Sequence, residues 1–112
     1  MSPSNYTVIG LTTEQDLPFL AAAIEQFFNV IFQDRDSLYF GGQYFKAGVA
    51  PNEILLCRNL DLLSGGLAYE EASDCTVIII LNKTNRTGSE VARDLEATLN
   101  IPCRVISEKT LP

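Results

Sequence analysis

The sequence predicts a single α/β domain of the α+β type, with two helices packed on a mixed sheet of about five strands. Two stretches, residues 13–30 and 87–99, repeat apolar residues at the three- and four-residue steps of an amphipathic helix. Short apolar runs typical of strands lie before, between and after them. A chain of 112 residues forms one domain with one core. The expected order is β-α-β-β-β-α-β.

The first half predicts a strand, a helix and an aromatic strand. Residues 6–11 are rich in β-branched side chains. Thr13 with Asp16 resembles a capping box and Pro18 suits a first helical turn, so we expect a helix that ends near Val30. Its buried stripe is Leu17, Leu20, Ile24, Phe27, Phe28 and Ile31.

A polar turn is predicted at residues 33–37. Residues 38–45 predict a strand with a bend or bulge at Gly41 and Gly42, or two short strands. Most aromatic side chains of this half belong to the core by their spacing, and the tyrosines should reach the surface more than the phenylalanines. Residues 48–52 predict a turn and residues 53–59 a further strand.

The second half contains the most apolar strand. Residues 60–74 fit either a loop with one helical turn or an edge strand, whereas the unbroken apolar run near residues 75–81 is typical of a central strand covered on both faces. Thr87 with Glu90 forms a capping box, and Asn100 suits the end of the second helix. The last strand, residues 103–107, should lie parallel beside the central one through a right-handed crossover, and the middle strands should be antiparallel.

The composition excludes most catalytic chemistry. The chain has no His, no phosphate-binding glycine loop and no nucleophile motif. An enzyme that uses carboxylates alone is the least favoured class, so we expect no enzymatic activity, no cofactor and no metal site. Cys57, Cys75 and Cys103 are too few and too widely spaced for a disulfide framework or a zinc site, and we expect buried thiols.

The sequence predicts a cytoplasmic protein, because we recognise neither a signal peptide nor a membrane-spanning run in it. A signal peptide has basic side chains followed by a long apolar run, and the N-terminal residues of this chain include neither. The longest apolar run, residues 77–81, is too short to span a bilayer, so no membrane association is expected.

Negative charge is unevenly distributed along the chain. Fourteen acidic and eight basic residues give a net charge of −6. Residues 1–74 carry ten acidic and three basic residues, net −7, and residues 75–112 carry four and five, net +1. This balance argues against direct nucleic-acid binding, whose footprint is basic. It suits a basic protein partner, although the same charge could serve solubility alone.

The acidic residues concentrate in two segments that we expect to be connections, and tyrosines lie beside them. Loops carry binding residues disproportionately, and Tyr is enriched at protein interfaces. The sequence therefore predicts a partner-binding surface formed by Asp34, Asp36, Tyr39, Asp61, Tyr69, Glu70, Glu71 and Asp74.

In size, acidity and element order the chain resembles the small acidic immunity proteins of bacterial contact-dependent growth inhibition and related polymorphic toxin systems. The resemblance lies in a Phe-rich first helix (residues 19–32), the aromatic residues 39–45 and the segment Glu53-Ile54-Leu55-Leu56-Cys57-Arg58-Asn59. It implies a protein that binds the toxic domain of a cognate effector, in many systems a basic nuclease, and blocks its active site. The alternative is a small-molecule-binding regulatory module that dimerises.

Overall fold

A computed structural model, which describes residues 4–37, 42–49, 52–84 and 86–111, shows an α+β domain and confirms the predicted fold class. Two helices pack on one six-stranded antiparallel sheet. The elements are β1 (Ser4–Leu11), α1 (Leu17–Phe28), β2 (Gln33–Ser37), β3 (Gly42–Val49), β4 (Asn52–Arg58), a 3-10 helix (Glu70–Ala72), β5 (Val77–Thr84), α2 (Gly88–Leu99) and β6 (Cys103–Leu111).

The strand order is β2-β3-β4-β5-β1-β6, and every neighbouring pair is antiparallel. The predicted mixed sheet is therefore wrong. Strands β5 and β6 run in the same direction, as expected for strands joined by a helix, but β1 lies between them and pairs with both. Insertion of the N-terminal strand into the crossover replaces the expected parallel pair by two antiparallel ones.

The additional strand is β2, where the sequence predicted a polar turn. Its backbone pairs with β3 from Gln33 opposite Lys46 to Ser37 opposite Gly42. It is an edge strand with largely exposed side chains, so no alternation of apolar and polar residues marks it. The predicted bend lies partly outside the described residues, because Gly41 is not among them; Gly42 begins β3 with a φ of 93°.

Both helices have side-chain caps, one of which differs from the prediction. Asp16, and not Thr13, caps α1: its carboxylate accepts a hydrogen bond from the Phe19 amide at 2.9 Å. The caps of α2 are confirmed, because the Thr87 hydroxyl accepts from the Glu90 amide at 3.2 Å and Asn100 ends the helix at a φ of 57°.

The main core lies between the helices and one face of the sheet. Leu17, Leu20 and Ile24 of α1 pack in the same cluster as Val91 and Leu95 of α2. All side chains from residue 77 to residue 81 are buried, which confirms the central strand covered on both faces. One residue of the predicted stripe, Ile31, is not buried, and Phe19, outside the stripe, is exposed as well. α1 ends at Phe28, so Ile31 is 83% exposed, and Phe19 in the first turn of α1 is 58% exposed.

A second, smaller core lies on the opposite face of the sheet. Val8, Ile78 and Ile80 form it with Cys57 and Cys75, whose thiols are buried as predicted. Cys103 is half-buried on the helix side. Burial raises the pKa of Cys57 and of Cys103 to about 12.

None of the helices in the described part of the chain combines the length and the apolar character that crossing a membrane requires.

Candidate functional site

The chain between β4 and β5, residues 59–76, forms the largest structure outside the helices and the sheet; we call it the β4–β5 connection. It leaves one end of the sheet, where β1 also ends and β6 begins, since Leu11 pairs with the first residues of both β5 and β6. The connection then folds over the sheet face opposite the helices. Its Ala72 and Cys75 are buried there in the second core, so the connection is part of the fold.

The side chain of Asn59 organises the connection from within. Its Nδ2 donates to the backbone carbonyls of Tyr69 at 3.2 Å and of Ala72 and Cys75 at 3.0 Å. Its Oδ1 accepts from the Tyr69 amide at 2.8 Å. Asn59 is only 4% exposed, and in such surroundings every unpaired polar group is costly. One buried amide therefore fixes the path of the chain from residue 69 to residue 75.

Residues of strands β1 and β6 contact the connection and hold it against the sheet. A Cβ atom placed on Gly10 would lie 2.5 Å from the Cys75 Sγ, so the glycine of β1 permits the close approach. Arg104 of β6 donates from Nη2 to Asp74 Oδ1 at 2.6 Å and from Nε to Asp74 Oδ2 at 3.3 Å, and also from Nη2 to the Glu71 carbonyl at 3.3 Å. These hydrogen bonds from the guanidinium hold the pKa of Asp74 below its ordinary value.

Within the connection, residues 61–67 form a tight hairpin that we call the leucine hairpin. The Asp61 amide donates to the Gly66 carbonyl, and the Gly65 amide to the Asp61 carbonyl, both at 2.8 Å. The Asp61 carboxylate accepts from the Leu63 amide at 3.0 Å. Gly65 has a φ of 78°, which favours glycine. The hairpin projects Leu62 and Leu63 outward, 44% and 56% exposed.

The structure separates Asp34 and Asp36 from the predicted residues Glu71 and Asp74. Asp34 and Asp36 lie on β2 at one edge of the sheet, and the side chain of Asp34 accepts a hydrogen bond from Gln43 at 2.9 Å. Arg104, which contacts residues 71 and 74, lies on β6 at the other edge, five strand spacings or about 24 Å away. Asp34 and Asp36 therefore do not form one patch with residues 71 and 74. Tyr39 lies outside the described residues.

The other five predicted residues all lie on the connection, but they differ in what their side chains do. Asp61 closes the hairpin and Asp74 pairs with Arg104. Tyr69 is half-buried in the second core, where burial and the neighbouring Tyr6, its hydrogen-bond partner, raise the pKa of Tyr69 to about 12. Glu70 and Glu71 are exposed on the 3-10 helix, and among the described residues neither carboxylate makes an ion pair or a hydrogen bond.

Sequence reasoning missed the leucines of the hairpin as surface residues. The signal for them was present: two adjacent leucines stand directly before Ser64-Gly65-Gly66, a typical turn sequence. A Cβ atom on Gly42 would lie 3.6 Å from Leu62 Cδ1, which places the hairpin beside the start of β3. The candidate site is therefore an ordered surface with an apolar tip and two unpaired carboxylates.

This acidic α+β domain with an ordered surface connection has no match among family models or curated protein sequences.

Proposed function

We propose that the protein is a stoichiometric inhibitor, an immunity protein that binds and neutralises a cognate basic toxin domain, a nuclease, in the bacterial cytoplasm. The observation that carries the proposal is the position of Glu70 and Glu71. Both are exposed on a short helix whose backbone is fixed by Asn59 and Arg104. A basic surface can meet these charges without first ordering the chain that carries them, which reduces the entropic cost of binding.

Charge supports the same assignment. Asp61 is already hydrogen-bonded within the connection and Asp74 is paired with Arg104 of β6, so Glu70 and Glu71 are the unpaired negative charges of the connection. The whole chain is acidic, with a net charge of −6. A negative field accelerates association with a basic partner, and carboxylates can occupy a surface that otherwise binds phosphates. Such a role needs no catalytic group of the chain's own.

The direct test uses the gene that lies next to this one. We expect the reading frame just upstream to encode a large secreted protein that ends in a small basic domain. That domain, purified, should bind this chain one to one in calorimetry and lose its nuclease activity at a molar ratio of one. If no such neighbour exists, or if the neighbour's terminal domain neither binds nor is inhibited, the proposal is wrong.

The placement of the site is tested by charge reversal. The double variant Glu70→Lys/Glu71→Lys should lower the association rate about tenfold at low salt and flatten its dependence on ionic strength. The matched control is Asp34→Lys/Asp36→Lys, which changes the net charge equally at the far edge of the sheet. An unchanged association rate for the Glu70 and Glu71 variant rejects the placement, whereas equal losses in both variants assign the effect to net charge.

A further inference from the structure

The exposed apolar side chains of the molecule are concentrated in one place. Among the described residues, five large apolar side chains are exposed, and three of them, Leu62, Leu63 and Leu67, belong to the leucine hairpin. The other two, Phe19 and Ile31, belong to the first turn of α1 and to the chain that follows this helix. Scattered single apolar residues are ordinary on a surface, but a local concentration marks an interaction site.

The hairpin holds these leucines out of the core. Besides the bonds that Asp61 makes, the Ser64 hydroxyl donates to the Asp61 carbonyl at 3.4 Å and accepts from the Gly66 amide at 3.3 Å. The turn is thus closed by its own backbone and by two polar side chains, Asp61 and Ser64. Leu62 and Leu63 do not need to fold inward to satisfy it, and the tip is formed before any partner arrives.

We propose that the leucine hairpin is the apolar anchor of the complex: Leu62 and Leu63 insert into an apolar pocket that basic residues of the partner surround. This inference rests on the proposed function and adds the chemistry of the partner's surface. Charge complementarity selects the occupant. Asp61 lies at the base of the hairpin, and Glu70 and Glu71 follow Leu67 within four residues. A second copy of this chain or an anionic membrane would bring like charges together at this site.

The two parts of the surface should act on different rate constants. Carboxylates attract a basic partner over a distance and therefore govern association. Buried apolar anchors lose their contacts only when the complex separates, so they govern dissociation. The arrangement thus predicts that substitutions of Leu62 and Leu63 change the dissociation rate, whereas substitutions of Glu70 and Glu71 change the association rate.

The test is surface plasmon resonance with the basic C-terminal domain encoded upstream as the immobilised probe. Leu62→Ser/Leu63→Ser should raise the dissociation rate at least about tenfold and leave the association rate unchanged. The matched control, Phe19→Ser/Ile31→Ser, also removes two exposed apolar side chains and should leave both rates unchanged. Thermal unfolding of each variant establishes that it is folded.

The outcomes separate this inference from the proposed function. If the wild-type chain binds and inhibits the domain but the leucine variant dissociates no faster, the anchor is rejected and the inhibitor remains. If the wild-type chain does not bind the domain, the proposed function and the anchor fail together. If sedimentation shows a dimer that Leu62→Ser/Leu63→Ser dissociates, a second copy occupies the hairpin, and the anchor for a basic partner is overturned.

Discussion

Asn59 and Tyr69 are joined by two hydrogen bonds in opposite directions, from the Asn59 amide to the Tyr69 carbonyl and from the Tyr69 amide to the Asn59 side-chain oxygen. The side chain of Asn59 thereby pairs with a backbone ten residues further on, as a neighbouring strand would. Because the same amide also serves Ala72 and Cys75, the surface that carries Glu70 and Glu71 depends on a residue that no partner can reach.

Replacement of Asn59 should therefore destabilise the whole protein. Asn59→Ala leaves three carbonyls and one amide without this partner, and we expect a loss of at least about 2 kcal/mol in the free energy of unfolding. Asn59→Asp should be worse, since a buried carboxylate would face carbonyl oxygens. Urea unfolding measures both, with the exposed Gln26→Ala as a control that should change stability by less than about 0.5 kcal/mol. Stability equal to wild type in Asn59→Ala would contradict this role.

A second prediction concerns the contact between Gly10 and Cys75. In Gly10→Ala the added methyl group would lie 2.5 Å from the Cys75 Sγ and 2.8 Å from Ile106 Cδ1, so the connection must shift away from β1. We expect a loss of about 1–3 kcal/mol and faster modification of the Cys75 thiol by a thiol reagent.

The matched control for Gly10 is another glycine with space around it. At Gly66 the nearest atom to an added Cβ is Ser64 Oγ at 3.8 Å, an ordinary contact. Gly66→Ala should leave the rate of thiol modification unchanged. A Gly10→Ala protein that also keeps the wild-type rate would show that Cys75 is not held against β1.

The extent to which the sequence predicts this structure follows from the range of the interactions. The helices and β5 were predictable because caps such as Thr87 and a continuous apolar run act locally. Strand β2 was not, because its identity rests on pairing with β3 and not on its own side chains. The position of β1 between β5 and β6 depends on partners far away along the chain. In the candidate site, too, features set by nearby residues were predictable and contacts between distant residues were not.

Within the site, the sequence indicated that the surface is acidic, but not which carboxylates are free and which are bonded to other groups of the protein. Glu70 and Glu71 are exposed as expected. Asp61 accepts a local hydrogen bond from the Leu63 amide, whereas Asp74 pairs with Arg104, which only the fold brings near. Thr7 and Glu108 are hydrogen-bonded to each other although they lie 101 positions apart in the sequence, and no local pattern predicts such a pair. The exposure of Leu62 likewise follows from hairpin closure and not from its hydrophobicity.

A third prediction is a pH dependence of the connection. Arg104 lowers the pKa of Asp74 below its ordinary value of 3.8. A group with a lowered folded pKa contributes stability above its unfolded pKa and loses it as the pH falls through the folded value. The difference in stability between wild type and Asp74→Asn should therefore be present at neutral pH and vanish in acid. Hydrogen exchange of the amides of residues 71–75 measures it.

The control for this pair is the ion pair of Arg86 with Asp94, which is partly exposed and lies at α2. Asp94→Asn should leave exchange in residues 71–75 unchanged at every pH. An Asp74→Asn protein whose exchange in these residues equals that of wild type at neutral pH would contradict a role for Arg104 in holding the connection.

A fourth prediction concerns the start of α2. The Glu108 carboxylate of β6 accepts hydrogen bonds from the Gly88 amide at 2.5 Å and from the buried Thr7 hydroxyl at 3.3 Å, and so joins β1 and β6 to the positive end of the helix. Glu108→Ala should lower the free energy of unfolding by about 1–2 kcal/mol. Glu108→Gln keeps an acceptor oxygen and should lose less.

The control for Glu108 is Glu90→Gln, which removes a charge from the first turn of α2 without removing these bonds. It should change stability by only about 0.3–0.5 kcal/mol. Equal losses in Glu108→Ala and Glu90→Gln in urea unfolding would mean that charge near the helix start, and not the specific bonds of Glu108, stabilises this junction.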